Sequence, residues 1–348
     1  MAIWVIVGHV SLTFGWSLPV FERNNLAVDV FVLLSGFVIA MLIERKREPY
    51  ASYIIRRAFR LFPLYLAALA LSAILLPVQM AAWQHAAPTP QNVNRLVLAT
   101  RSLWDIAAGL AFHIPLLQGL VPRRLDPQAA FTIVGQAWSI SLEWQFYLLA
   151  PVLIWATQAG NLRKTVAGAL TVALLLVTAR YFSGAYLGAR VLHFLLGIVS
   201  FHAVHRSSDQ KIQLAAAGGL SALILLAYGK LQIAPLGIWA VVIWSSARPA
   251  HSVGHALARA LATPRLVQLG EISFSIYLIH MIPLYCSVAL LMPVLPLHGL
   301  VGEISIMLVT LATSYGVAVI THRWIEKPGI KLGARLTSVV GRGGLNPA

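Results

Sequence analysis

Apolar runs close to the length of a membrane-spanning helix follow one another from one end of this chain to the other. A helix needs about 20 residues to cross roughly 30 Å of hydrocarbon. Ten runs approach that length, at approximately 1–18, 26–43, 61–79, 134–157, 165–182, 188–205, 212–228, 231–247, 266–291 and 301–323. They explain why 59% of the residues are hydrophobic and only 11% charged, against roughly 25% charged in soluble domains. The mean hydropathy is +0.78. A water-soluble fold cannot cover that much apolar surface, and in hydrocarbon a helix satisfies its own backbone N–H and C=O groups. The expected fold class is all-α: a polytopic membrane protein of about ten transmembrane helices. One membrane domain is expected over residues 1–330, followed by a short basic cytoplasmic tail over 331–348 that frays.

The net charge of +15 has a topological reading. With the N-terminus inside, eighteen of the 26 Lys and Arg fall on cytoplasmic segments or at the last turn of the tenth helix. This is the asymmetry that orients membrane proteins, and it puts both termini in the cytoplasm. The basic residues are therefore assigned to membrane lipid heads or a phosphate-bearing substrate rather than to nucleic acid. Segment 103–121 is an eleventh apolar stretch. Counting it as a span would turn most later basic loops outward, so it is read as re-entrant or interfacial, which also suits Asp105 and His113 within it. The long stretch 80–133 then becomes the main extracytoplasmic loop, of a length that is usually functional.

Several polar residues sit where polarity is costly. His9 lies inside the first run, and an imidazole titrating near neutrality suits a general base; the alternative is a histidine that hydrogen-bonds a neighbour. Asp29 opens the second run and either orients His9 or serves the N-terminal dipole of its own helix. Gly36 in that run is expected to let helices approach closely. Arg56, Arg57 and Arg60 share one helix face ahead of Pro63. They are either cytoplasmic anchors or a guanidinium cluster for a phosphorylated donor. Pro63 is expected to start or kink the third span.

Two further stretches are read the same way. Gln136 to Pro151 opens a span from the outer side, with Trp138, Trp144 and Tyr147 at interface depth and Ser139 near Glu143. The pattern is part helix-start chemistry and part site, because a glutamate one turn inside a membrane is expensive. In the ninth run, Ser273, Tyr277 and His280 fall on one polar stripe that either glues helices or lines a cavity. Cys286, the only cysteine, sits in an apolar run and reads as packing. There is no Walker loop, dinucleotide turn, metal-ligand spacing or Gly-x-Ser-x-Gly elbow.

The order of these pieces resembles acyltransferase family 3, bacterial membrane O-acyltransferases of surface glycans and related acceptors. The pieces are His9; Val28-Asp29 with Ser35-Gly36-Phe37; Arg56-Arg57 with Arg60 and Pro63; Trp138-Ser139 with Ser141, Glu143, Phe146-Tyr147 and Pro151; Leu269-Gly270 with Ser273, Ser275, Tyr277 and His280; and a closing Glu326-Lys327-Pro328. The resemblance implies a ten-helix core that takes an acyl group, usually acetyl, from cytoplasmic acyl-CoA as co-substrate. It delivers the group to a hydroxyl of a glycan or lipid-linked acceptor at the bacterial inner membrane. No permanently bound cofactor and no metal are implied. It makes His9 the base, with Asp29 and Glu143 at the catalytic centre and Arg56, Arg57 and Arg60 on the donor. Trp138, Ser139, Tyr147, Ser273, Tyr277 and His280 would line the site. The family's first helix also carries a basic residue eleven positions before its histidine, a place that here falls before Met1, so an internal start or a truncated, inactive copy is expected. A transporter or flippase of polar lipid or glycan is the competing reading of ten helices with buried charges.

Overall fold

The computed structural model of the protein describes residues 1–157, 162–205, 210–247, 252–293 and 299–343, so Arg206 and Arg248 of the expected cytoplasmic loops lie outside the described residues. Every regular element among these residues is helical. In chain order the first helices are α1 (Ala2–Phe14), α2 (Asn24–Lys46), α3 (Tyr50–Ile74), α4 (Leu76–His85), α5 (Pro90–Trp104) and α6 (Ile106–His113). They are followed by α7 (Trp138–Ala156), α8 (Leu162–Thr178), α9 (Val191–His205), α10 (Gln210–Tyr228), α11 (Ile233–Ala247), α12 (Ser252–Leu261) and α13 (Pro264–Glu271). The chain closes with α14 (Ser273–Ile279), α15 (Met281–Leu291), α16 (Leu300–Thr321), a π-helical turn His322–Glu326, and α17 (Lys327–Gly343).

Among the described residues five helices are long and apolar enough to cross a membrane: Asn24–Lys46, Tyr50–Ile74, Arg163–Tyr181, Gln210–Tyr228 and Leu300–Ser338. The pair α14 and α15, bent by 46°, makes a sixth if taken as one span. Ala2–Phe14, Val191–His205 and Lys230–Ser245 are apolar but shorter.

Three boundaries differ from the sequence reading. Pro63 lies inside α3 rather than at its start. The helix begins at Tyr50, so the arginine cluster is built into its first half, and the apolar run to 79 is split between α3 and α4. The ninth run is broken into α13, α14 and α15. Pro283 has no N–H to give the Ile279 carbonyl and its ring crowds that carbonyl, which accounts for the bend beside His280. The third difference is the tail, which is helical through Gly343 instead of frayed. It is docked: a Cβ on Gly329 would lie 2.7 Å from Pro63 Cγ, and one on Gly333 2.6 Å from Phe59 Cβ. Segment 103–121 holds no spanning helix; it contains the end of α5, α6 and the 3₁₀ turn Gln118–Leu120.

The chain divides into two compact units. The first comprises Met1–Asn24, Ile55–Ser141 and Ile272–Ala348, and the second Asn25–Ile54 and Leu142–Glu271. In the first unit α4 packs on α5 and α15, and α1 packs on α5, α14 and α16. The end of α1 fixes where α5 begins. Gly15, at φ 72°, caps α1 in the left-handed region. Thr89 caps α5 by accepting from Asn92 N at 3.2 Å, ahead of Pro90 at the first helical position. The Thr89 hydroxyl also donates to Leu12 O at 3.2 Å, and Asn92 Nδ2 donates to Thr13 O at 2.7 Å. One turn further along α5, the side chain of Arg95 therefore meets α1.

In the second unit α2 and α9 cross where both lack a side chain. A Cβ on Gly36 would lie 2.2 Å from Phe194 O, and one on Gly197 2.2 Å from Leu33 O. This is the close approach expected of Gly36.

Candidate active site

In the first unit some of the expected site residues gather near His9, and the arginine cluster does not. Its ring lies 5.2 Å from that of His280, centroid to centroid. Arg95 Nη2 sits 3.0 Å from His9 Nδ1 and also donates to the His9 carbonyl at 3.3 Å. A guanidinium has no acceptor, so Nδ1 is the acceptor and neutral His9 carries its proton on Nε2. Arg95 Nη1 donates to Thr13 Oγ1 at 2.7 Å and to Asn92 Oδ1 at 3.1 Å, and the Trp83 ring covers the guanidinium at 4.7 Å. Burial lowers the Arg95 guanidinium to about 9, which leaves it cationic at neutral pH.

His280 has the opposite tautomer. Its Nδ1 is 2.6 Å from Tyr277 O, an acceptor only, so Nδ1 bears the proton and Nε2 holds a lone pair. Among the described residues, that buried Nε2 has no hydrogen-bond partner. Tyr277 OH donates to Gln136 O at 2.9 Å and takes a hydrogen bond from Ser139 Oγ at 2.6 Å, while Gln136 Nε2 donates to Leu278 O at 2.7 Å. These bonds fasten the turn before α7 to α14. A cavity of about 310 Å³ opens here, lined by His9, Arg95, Gln136, Trp138, Asn94 and Met281 among others. His9, Trp138, Ser139, Tyr277 and His280 are thus gathered in one place. Ser273 stands at the start of α14.

The arginine cluster lies elsewhere in the same unit. Arg60 pairs with Glu326, whose Oε2 accepts from Ser275 Oγ at 2.6 Å and lies 2.9 Å from His322 Nδ1. The Arg60 guanidinium also rests 4.9 Å above the Phe274 ring. Arg56 and Arg57 stand one turn earlier on α3. A second, apolar cavity of about 450 Å³ lies among α3, α15 and α16, and Cys286 is part of its wall, in keeping with a packing role.

The two expected carboxylates belong to the second unit. Asp29 is fully buried; Oδ1 accepts from Arg190 Nε at 2.6 Å and Oδ2 from Gln232 Nε2 at 2.8 Å. Glu143 accepts from the Tyr147 hydroxyl and, at 3.5 Å, from Ser35 Oγ. Gln145 is tied to the backbone, donating to Ala185 O and accepting from Leu187 N, both at 2.9 Å.

A family profile described as an acyltransferase domain matches residues 1–323. The chain belongs to this acyltransferase family. It is 28% identical over 288 residues to "Acyltransferase MdmB" of Streptomyces mycarofaciens, covering 74% of this chain and 67% of the relative. It is 29% identical over 187 residues to "Protein 2 in picA locus" of Rhizobium radiobacter, covering 52% of this chain and 90% of that protein. No solved structure matches.

An acyltransferase needs an acyl donor, an acceptor and a means of managing one proton and one developing negative charge. The candidate site has two imidazoles with opposite tautomers, a buried guanidinium and a hydroxyl pair. Arg95 is the member that the sequence reading did not pick out. It was one of the eight basic residues outside the cytoplasmic segments, in a loop flagged as long enough to be functional, and that combination was the available signal.

Proposed function

We propose that this acyltransferase takes an acyl group, acetyl in the simplest case, from cytoplasmic acyl-CoA and places it on a hydroxyl of a glycan or lipid-linked acceptor. The enzyme resides in a bacterial inner membrane. Its three shorter apolar helices together with α7 complete ten spans, and both termini are cytoplasmic. Arg56, Arg57 and Arg60 meet the phosphates of the donor, with Arg60 exchanging Glu326 for a phosphate, since bidentate guanidinium contacts suit both anions. A thioester is already activated, so the remaining demand is removal of the hydroxyl proton and stabilisation of the tetrahedral oxyanion. His9 takes the proton, with His280, Tyr277, Ser139 and Trp138 shaping the site around it. Within the second unit Asp29 anchors Arg190 and Gln232, and Glu143 with Tyr147 contacts acceptor hydroxyls.

The observation that carries this reading is a histidine held by a buried guanidinium at the wall of a polar-lined cavity, in a chain of acyltransferase ancestry. Purified protein in lipid nanodiscs should release free thiol from acyl-CoA only when a surface glycan or lipid-linked acceptor is present. Acceptor translocation in proteoliposomes with no thiol release from any acyl-CoA would overturn it in favour of a flippase.

A further inference from the structure

Among the described residues Arg95 is a buried cation whose hydrogen-bond partners, Thr13 Oγ1, Asn92 Oδ1 and the His9 ring and carbonyl, are all neutral. The other arginines of known pairing differ: Arg60 has Glu326, Arg101 has Asp126 at 2.7 Å, and Arg190 has Asp29. Burying a guanidinium without a counter-charge is expensive. A neutral amide donor could make the same bonds to Thr13 and Asn92 without that cost. The surplus charge therefore points to an anion that arrives during the working cycle. The cavity wall that Arg95 shares with His9 is where such an anion can come.

We propose that Arg95 is a catalytic residue: its guanidinium masks the His9 Nδ1 lone pair in the free enzyme and turns to the thioester oxygen as that oxygen becomes an oxyanion. This rests on the acyl-CoA reading above and deepens it. The acceptor hydroxyl oxygen bonds to the thioester carbonyl carbon, and the carbonyl π pair moves onto oxygen. The hydroxyl proton goes to His9 Nδ1, which Arg95 has just released. On collapse the C–S bond breaks, and the CoA thiolate leaves with the proton returned by His9.

Geometry supports the pairing. The guanidinium nitrogen is 3.0 Å from the nitrogen that takes the proton. A hydroxyl within hydrogen-bond reach of that nitrogen has its nascent oxyanion only two C–O bonds away, inside the span of the guanidinium fork. Charge supports it too. A proton placed on His9 alone would set two cations side by side, whereas an oxyanion formed in the same step offsets one of them. The guanidinium carbon lies 4.7 Å from the centroid of the Trp83 ring, which steadies the cation beside His9.

The test is steady-state kinetics of acetyl-CoA turnover by the full chain in nanodiscs, with Arg95→Ala, Arg95→Gln and Arg95→Lys. Removing one oxyanion donor costs on the order of 10²–10³-fold in kcat. The account expects that loss in Arg95→Ala and Arg95→Gln, with the KM values for donor and acceptor little changed. Partial recovery is expected in Arg95→Lys, and rescue of Arg95→Ala by added guanidinium ion. If Arg95→Ala does not fold, Arg95→Gln, which keeps a donor toward Thr13, carries the comparison. A wild-type kcat in Arg95→Gln overturns the proposal, as does a rise in acceptor KM at unchanged kcat, which would make the anion part of the acceptor. Absence of turnover in the wild type would instead sink the acyl-CoA reading, and this role with it.

Discussion

Replacing Asp29 by alanine separates structure from chemistry in the second unit. The carboxylate is fully buried and both its oxygens are taken, by Arg190 and Gln232. Removing it leaves the Arg190 guanidinium, only 14% exposed, without a counter-charge, and Gln232 Nε2 without its acceptor. Breaking a buried pair by deleting one partner costs about 3–5 kcal/mol. At roughly 2–4 °C per kcal/mol for a unit of this size, the unfolding midpoint should fall by about 6–20 °C. The assay is thermal unfolding of purified protein followed by far-UV circular dichroism, with acyl transfer measured per folded molecule. Transfer per folded molecule should be retained within a few-fold. The double replacement Asp29→Ala with Arg190→Met should regain much of the lost stability, because no uncompensated charge remains. An Asp29→Ala protein that melts like the wild type but transfers no acyl group would refute the reasoning, and would return Asp29 to the chemical role expected from sequence.

Two other outcomes follow from the packing. His113 is buried, with Nε2 3.2 Å from Ala129 O and 3.1 Å from Thr132 Oγ1, and burial lowers it to about 4. Unfolded, the same group titrates near 6.5, so the folded state binds fewer protons between those values. Stability from this group is therefore complete above about 6.5 and lost as pH falls toward 4. Protection factors for the amides of residues 106–132, corrected for the intrinsic pH dependence of exchange, should fall between pH 7 and 5, and His113→Gln should flatten that dependence. Gly36→Ala should lower the unfolding midpoint by several degrees, because the new Cβ would meet a backbone oxygen at 2.2 Å and the two helices must move apart; an unchanged midpoint would contradict the crossing.

Much of the helical architecture was legible because hydrophobic length is a local property. Asn24–Lys46 and Gln210–Tyr228 each cover an apolar run read from sequence, and Leu300–Thr321 covers all but the last two residues of another. Gly36 announced its close crossing; of the stripe that either glues helices or lines a cavity, Tyr277 bonds Gln136 and Ser139, and His280 lies beside His9. What sequence could not reveal depends on tertiary docking. Sequence offers Asp29 either as the group that orients His9 or as a partner for its own helix dipole; Asp29 bonds Arg190 and Gln232, and His9 bonds Arg95, brought to it by the cap at Thr89 and the bond from Asn92 to Thr13. Pro63 is expected to start or kink the third span, and α3 runs through it rather than starting there, because helix breaking is a propensity that packing can override. The docking of α17 through Gly329 and Gly333 depends on Phe59 and Pro63, residues more than two hundred positions away.

The central claim is that an imidazole at position 9 handles the proton of acyl transfer. Its most direct test is the single-turnover rate of acyl-CoA consumption by His9→Ala and His9→Gln, reconstituted at levels and melting temperatures matched to the wild type. General acid–base catalysis is worth about 10²–10⁴-fold. The account predicts a loss of that order in both variants; a rate within threefold of the wild type in either would contradict it.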